Sequence, residues 1–282
     1  MVSIVLEKDR LTFSHNGLPF TLKQLLALVR RTSTKSYDNS DGNTGKFGTG
    51  FVTSHVLNPI VKVSGLLNGK NGLRDFTITI DRTTTDLASL QIELKKVFDI
   101  INDFNVSPNA TFTQGRLTEY EYLLEEDTYE LAAKSVADFI ENLPFTLLIN
   151  APNIKPGIGE VRVKVDGMES IYKLADAEPL FGNVKFSQLH NSSSQEKEGL
   201  LHYEADNMLL AVPVKKTNTG WDLLKIGNTN KLYKEFPLVG TEEWHIPFLV
   251  QNDIFLPSEQ VGTACAFLVL RFWYPGVCQS ML

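Results

Sequence analysis

The sequence predicts an α+β fold in two domains. Two stretches with apolar residues at helical spacing, 86–105 and 128–143, stand among short segments that alternate apolar and polar as strands do. The chain has 282 residues, 43% of them hydrophobic, enough to bury a core in each of two ordinary domains. The expected division is 1–108, then 109–260, with a divergent tail at 261–282.

Residues 2–6 and 11–14 flank the polar turn Glu7-Lys8-Asp9-Arg10 and read as a hairpin. In His15-Asn16-Gly17-Leu18-Pro19-Phe20, Asn16-Gly17 adopts positive φ cheaply and Pro19 blocks strand continuation, so the chain is expected to turn sharply at the strand's end. Thr21 caps a short helix over 22–29, whose Leu22, Leu25, Leu26 and Val29 share one face. Residues 30–44 are rich in Ser, Thr, Asn, Asp and Gly, the composition of a lid rather than a core element. A short helix ends near Leu57; strands follow at 60–63 and 76–80, separated by a turn containing Gly65, Gly69 and Gly72.

Asp86 opens an amphipathic helix with Leu87, Leu90, Leu94, Val97, Phe98 and Ile101 on its apolar face. Further on, 118–124 reads as a strand, 128–143 as a helix burying Ala132, Val136, Phe139, Ile140 and Leu143, and 145–149 as a short apolar strand. Residues 159–165 and 170–174 form a hairpin around Asp166-Gly167; 189–199 reads as a solvated loop; 208–214 and 221–226 are strands. Lys215-Lys216 either reaches a phosphate or, as favoured, is an ordinary charged hairpin end. Glu242-Glu243 beside Trp244-His245 reads as an exposed loop rather than an acid/base pair.

A formal charge of -6 argues against a general nucleic-acid surface. Cys265 and Cys278 offer neither a disulfide framework nor a metal cluster, and no secretory leader or run of the ~18 apolar residues that span a bilayer is expected. The chain therefore reads as cytoplasmic. The histidines His15, His55, His190, His202 and His245 have no spacing that suggests a metal triad, and there is no Gly-x-Ser-x-Gly elbow.

The stretch richest in chemistry is Gly45-Lys46-Phe47-Gly48-Thr49-Gly50-Phe51, leading into an apolar helix-like run. Its glycines let the backbone pass close to a ligand, the N–H groups of a first helical turn point outward, and Lys46 adds a cation. Phosphate is the natural guest of such a site. It is neither a Walker A motif nor a Rossmann fingerprint, and taken alone a tight loop-to-helix junction is the favoured reading.

Taken together, His15-Asn16-Gly17-x-Pro19-Phe20, Ser33-Thr34-Lys35, the glycine segment 45–51 and Phe76-Thr77-Ile78-Thr79-Ile80-Asp81-Arg82 resemble the GHKL ATPase superfamily in order and kind. That superfamily includes gyrase-type topoisomerases, the large heat-shock chaperone, histidine kinases and MutL proteins; the nearest likeness is to bacterial ATP-binding proteins and sacsin-type repeats with a His-Asn-Gly box. The likeness covers roughly residues 1–105, and 236–257 is similar to the second domain of those bacterial proteins. It implies a Bergerat-type α/β sandwich, helices over a mixed sheet, followed by a second, transducer-like α+β domain. ATP with Mg2+ is the implied ligand. Asn16 and Gly17 match the first glycine box beside the adenine, with His15 on the adenine side. Ser33, Thr34 and Lys35 match the start of the lid; Gly45, Lys46, Phe47, Gly48, Thr49, Gly50 and Phe51 match the phosphate-cradling second box.

Two departures bear on function. Many relatives place an Asp before the first glycine pair to accept the adenine amino group, whereas this chain has His15, which as neutral imidazole could accept one hydrogen bond or, at least as readily, serve a solvent-facing structural role. The family's catalytic Glu and magnesium-binding Asn lie on a helix upstream of the first strand pair, and Met1 stands where that helix would have ended. A fragment or misassigned start, a nucleotide-binding relic, and a helix supplied by a partner all account for this; the first is favoured. The catalytic residues are accordingly unknown, the Mg2+ ligand is missing, and binding is expected before turnover. Beyond Gln260 the family flavour ends, as a shifted reading frame or a divergent last strand over 266–273 would produce. The leading expectation is an ATP-binding module acting as a nucleotide-driven conformational switch; the other is an interaction module or gene fragment with a dead pocket. Expected partners are the nucleotide and a homodimer mate or partner protein completing the site, without membrane or nucleic acid.

Overall fold

The computed structural model describes residues 1–30, 55–107, 111–151, 157–194, 196–205, 207–234, 236–252 and 255. The lid segment beyond Arg30, the second glycine box with most of the short helix after it, and the tail strand all lie outside these residues. The described chain is a mixed α+β protein with many strands and three α-helices. It divides into two compact units, one mainly Val2–Ala133 and the other mainly Lys134–Lys164 with Met168–Phe267.

In the first unit β1 (Val2–Glu7) and β2 (Arg10–His15) form an antiparallel hairpin. A short β3 (Phe20–Thr21) leads into α1 (Leu22–Arg30), whose start is a capping box: Gln24 N–H donates to Thr21 Oγ1 at 3.3 Å, and Thr21 N–H donates to Gln24 Oε1 at 2.8 Å. Strands β4 (Ile60–Gly69) and β5 (Gly72–Asp81) run longer than their alternation predicts, because Gly65 lies within β4 and only the turn at Gly69–Gly72 breaks the pair. A Cβ at Gly65 would sit 3.1 Å from Thr118 Oγ1, so glycine there admits the neighbouring strand.

Helix α2 (Leu87–Val106) begins where the sequence places it, with the Asp86 carboxylate accepting from Ser89 N–H at 2.9 Å. Its buried side is shorter than expected: Val97 and Ile101 are buried, whereas Leu87 is exposed. The β4–β5 turn caps its far end, Lys70 N–H donating to Asn105 O and Oδ1 and Asn71 Nδ2 to Val106 O and Ser107 O. Strand β6 (Thr118–Leu123) inserts between β2 and β4, giving the order β1-β2-β6-β4-β5, with β3 parallel to the end of β4. The alternating residues Ile4, Leu6, Leu11, Phe13, Val61, Val63, Phe76, Ile78, Tyr120 and Tyr122 are buried with Leu25 and Val29 of α1.

Helix α3 (Glu126–Ile149) corrects one expectation, since it absorbs the strand read at 145–149. Pro144 sits inside it, Phe145, Leu147, Leu148 and Ile149 are all buried, and a short apolar run has no period of its own to distinguish helix from strand. Side chains add bonds to the backbone in the turns that follow: Thr146 Oγ1 donates to Asn142 O at 2.8 Å and Asn150 Nδ2 to Thr146 O at 3.0 Å.

The second unit is strand-rich. Strands β7 (Val161–Val165) and β8 (Met168–Leu174) turn through Asp166 and Gly167, both at positive φ, as the Asp-Gly pair predicts. Then come β9 (Glu178–Phe181), β10 (Val184–Asn191), β11 (Glu198–Ala205), β12 (Met208–Lys216), β13 (Trp221–Leu223), β14 (Leu232–Tyr233) and β15 (Leu249–Asn252). The solvated-loop reading of 189–199 does not hold at its two ends, which belong to the paired strands β10 and β11. Residues 224–226 are likewise not strand. Within this unit the order is β7-β8-β10-β11-β12-β15-β14, with β9 on β10 and β13 on β12. Phe145, Leu148 and Ile149 of α3 pack with Leu200, Leu209, Ala211, Tyr233 and Leu249 into one core.

Candidate functional site

Of the residues assigned to the nucleotide site, the described structure places His15, Asn16 and Gly17. Ser33, Thr34, Lys35, Gly45, Lys46, Phe47, Gly48, Thr49, Gly50 and Phe51 lie outside the described residues. His15 is the last residue of β2, paired with Val2 on one side and Thr118 on the other. Alternation along β2 puts it on the same buried face as Leu11 and Phe13, and it is 1% exposed. Its ring lies 6.0 Å from that of Phe13 and 6.5 Å from that of Tyr120.

The turn that follows is built differently from the sequence expectation. Neither Asn16 nor Gly17 adopts positive φ. The imidazole supports the turn instead: Gly17 N–H donates to His15 Nδ1 at 3.0 Å. A backbone N–H can only donate, so Nδ1 is the bare acceptor nitrogen and the ring proton resides on Nε2. Nε2 is buried and has no hydrogen-bond partner among the described residues. Burial also pushes the imidazole pKa down from 6.5 to about 4, so the ring is neutral near pH 7. Of the two roles open to His15 in the sequence, the solvent-facing one is corrected by its burial and the acceptor is already used by Gly17 N–H, so what His15 retains is a buried donor.

Two features missed in the sequence shape the surroundings. Strand β6 brings Thr118 and Tyr120 beside His15 from a hundred positions further along the chain; their period-2 alternation shows a strand, but nothing local shows its neighbour. Arg82 Nη2 donates to Val29 O at 3.0 Å, and the Arg30 guanidinium stands 4.8 Å over the Phe98 ring. Together they hold the C-terminal end of α1 to α2 and to the residue that follows β5.

Elsewhere the candidate groups are engaged. Lys215 pairs with Glu196 at 2.8 Å; Lys216 pairs with Glu178 at 3.5 Å and lies over the Trp221 and Phe186 rings. Glu242 accepts from Asn230 Nδ2 at 2.6 Å and from Gly240 N–H at 2.7 Å, which gives it a loop-closing part. A shallow cavity of about 580 Å³ in the second unit, lined by Lys173, Gln188, His190, Ser192 and Glu196, contains none of the candidate residues. Among the described residues no three His, Cys, Asp or Glu side chains converge as a metal site, so no step is derived through Mg2+. Nor is any helix among them long and apolar enough to cross a membrane.

No family model matches the chain, and no curated protein matches it. Among solved structures it is similar to the B-subunit of the DNA gyrase from Myxococcus xanthus, at 8% identity and a TM-score of 0.35 over 84% of this chain. The chain spans 60% of that subunit's length. A likeness of this degree carries no argument about ligand or activity.

Proposed function

We propose that this chain binds ATP as a GHKL-type module and that nucleotide occupancy drives a conformational switch. The ordered motifs support this reading: a His-Asn-Gly turn, a Ser-Thr-Lys group and a glycine-rich phosphate loop, followed by the Phe-Thr-Ile-Thr-Ile-Asp-Arg strand. One structural observation carries it further. The strand end that the resemblance assigns to the base holds a fully buried N–H donor with no partner among the described residues. Such a group costs about 1–3 kcal/mol when nothing accepts from it, so a ligand acceptor at this point is favoured. The nucleotide domain is assigned to 1–108 and the transducer-like domain to 109–260, before the tail.

The switch needs only a difference in ATP affinity between two states of the protein. Calorimetric titration with Mg-ATP tests the binding. The expected result is saturable binding, lost on Gly48→Val because the branched side chain crowds the phosphate path. A folded protein that binds no Mg-ATP refutes the proposal; unchanged affinity in the Gly48→Val variant refutes the placement of the phosphates.

A further inference from the structure

The charge and proton arrangement at His15 says which edge of the base it meets. The inference rests on the nucleotide-site reading above and concerns the base rather than the phosphates. An imidazole has one acceptor and one donor nitrogen when neutral. Here the acceptor, Nδ1, is taken by Gly17 N–H at 3.0 Å, and that partner cannot reverse its role. The ring cannot flip to offer Nδ1 elsewhere without leaving Gly17 N–H unpaired. The Phe13 and Tyr120 rings, each within 6.5 Å, flank the imidazole in the position observed. The group left over is Nε2–H, 1% exposed as part of its residue and unsatisfied among the described residues.

We infer that His15 reads a bound purine as a hydrogen-bond donor, through Nε2–H, to an acceptor on the base's Watson–Crick edge. This inverts the carboxylate arrangement, in which an Asp accepts from the exocyclic amino group. A 6-amino group set opposite Nε2–H would put two donors face to face, which leaves both unpaired. Two atoms offer the required acceptor: ring N1 of adenine, and the 6-oxygen of a 6-oxo purine such as hypoxanthine or guanine. The shared chemistry is the acceptor; the base that supplies it is distinguished by experiment.

The full chain is titrated at neutral pH with ATP, ITP and 1-deaza-ATP, the last retaining the amino group but carrying C–H in place of N1. The tighter of ATP and ITP is expected to bind about fivefold or more better than 1-deaza-ATP, the worth of one net hydrogen bond. ATP tightest identifies N1 as the acceptor; ITP tightest identifies the 6-oxygen. In His15→Phe, which keeps an aromatic ring between Phe13 and Tyr120, the three affinities should converge to within about twofold. In His15→Asp, which restores an acceptor, the two amino-bearing nucleotides should outrank ITP. Equal binding of all three by the unsubstituted protein overturns the inference, and so does an unchanged ranking in His15→Phe. The comparison on the unsubstituted protein needs no variant to fold. Binding without base discrimination defeats this inference alone, whereas no binding of any of the three defeats the nucleotide-site reading as well.

Discussion

Lowering the pH should unfold this protein in part through His15, and the size of the effect follows from its burial. The imidazole pKa falls from 6.5 to about 4 in the folded chain because the charged ring is denied water. Above pH 6.5 the ring is neutral folded or unfolded and contributes nothing to the pH dependence. As the pH drops through 6.5 the unfolded chain takes up a proton that the folded chain refuses, so stability is lost until the folded pKa is reached. Two-state linkage gives a loss of about 2 kcal/mol between pH 7 and pH 5, approaching about 3 kcal/mol near pH 4. That is a large part of the ~5–15 kcal/mol by which a domain is stable.

Other groups titrate alongside. His202 is pushed down by burial and by Lys185, and so loses stability in the same direction below 6.5. Glu160 is held below the usual carboxylate range by its hydrogen bonds to Lys173 and Arg162, so its contribution exists above 4.5 and disappears as the pH falls further. The measurement is therefore a difference: urea unfolding of the unsubstituted chain and of His15→Phe, each at several pH values from 7 to 5. The variant should lose about 2 kcal/mol less over that range. Parallel stability curves would refute the argument, because they would mean that His15 is protonated as readily folded as unfolded.

Further outcomes follow from the packing of the second unit. Gly199→Ala would place a Cβ 2.4 Å from Ser187 O and 2.6 Å from the Phe186 ring, so it should cost about 3 kcal/mol or more in denaturant unfolding. Gly227→Ala meets nothing within 4 Å and should change stability by no more than about 0.5 kcal/mol; comparable losses in the two variants would contradict the structure. Tyr233→Phe removes the 2.7 Å hydrogen bond to Asn142 Oδ1, leaving that oxygen Asn230 N–H as partner, and should lower thermal stability by about 1–2 kcal/mol. An unchanged melting curve would mean that this buried bond is not formed.

Most of what sequence reasoning found correctly was local. Asp86 opening α2, Thr21 capping α1, and Asp166-Gly167 between β7 and β8 are each decided within four residues, so their chemistry is visible in a short window. The errors came where distant packing chose between equal local readings. Phe145 to Ile149 is apolar at every position but Thr146, and only its burial against Leu200, Leu209 and Tyr233 makes it helix. Strands β9, β10 and β11 were missed because Lys185, Gln188 and Glu198 dilute their alternation and Gly199 reads as a turn residue. In the fold Gly199 is needed instead for close approach to Ser187 and Phe186. At the candidate site, the residue types at 15–17 were visible but the direction of the hydrogen bond was not. The acceptor that His15 could have offered is consumed by Gly17, a matter of one contact that no residue pattern encodes.

Among the described residues His15 is not the only buried polar group without a full set of partners, and a comparison with three arginines and His202 shows what sets its donor apart. Arg10, Arg74 and Arg82 each leave Nε unpaired, yet each bonds through another guanidinium nitrogen: to Glu121, to Ser107 O and to Val29 O. Each guanidinium is thus anchored even though one of its donors is not. His202 is the closer parallel, buried, neutralised by its surroundings and with Nδ1 unpartnered. Its other nitrogen, however, faces Ser187 Oγ at 3.2 Å, and a hydroxyl can donate or accept. By donating from Nε2 to the hydroxyl, His202 leaves only a bare lone pair at Nδ1, and an unpaired acceptor is somewhat less rare than an unpaired N–H. His15 has no such choice. A hydroxyl rotates, but Gly17 N–H is fixed by the backbone and holds the proton on the wrong side of the ring for internal relief. The fold thus spends one hydrogen bond to aim a donor where the chain itself supplies no acceptor among the described residues, and the deficit is removed when something with a lone pair arrives.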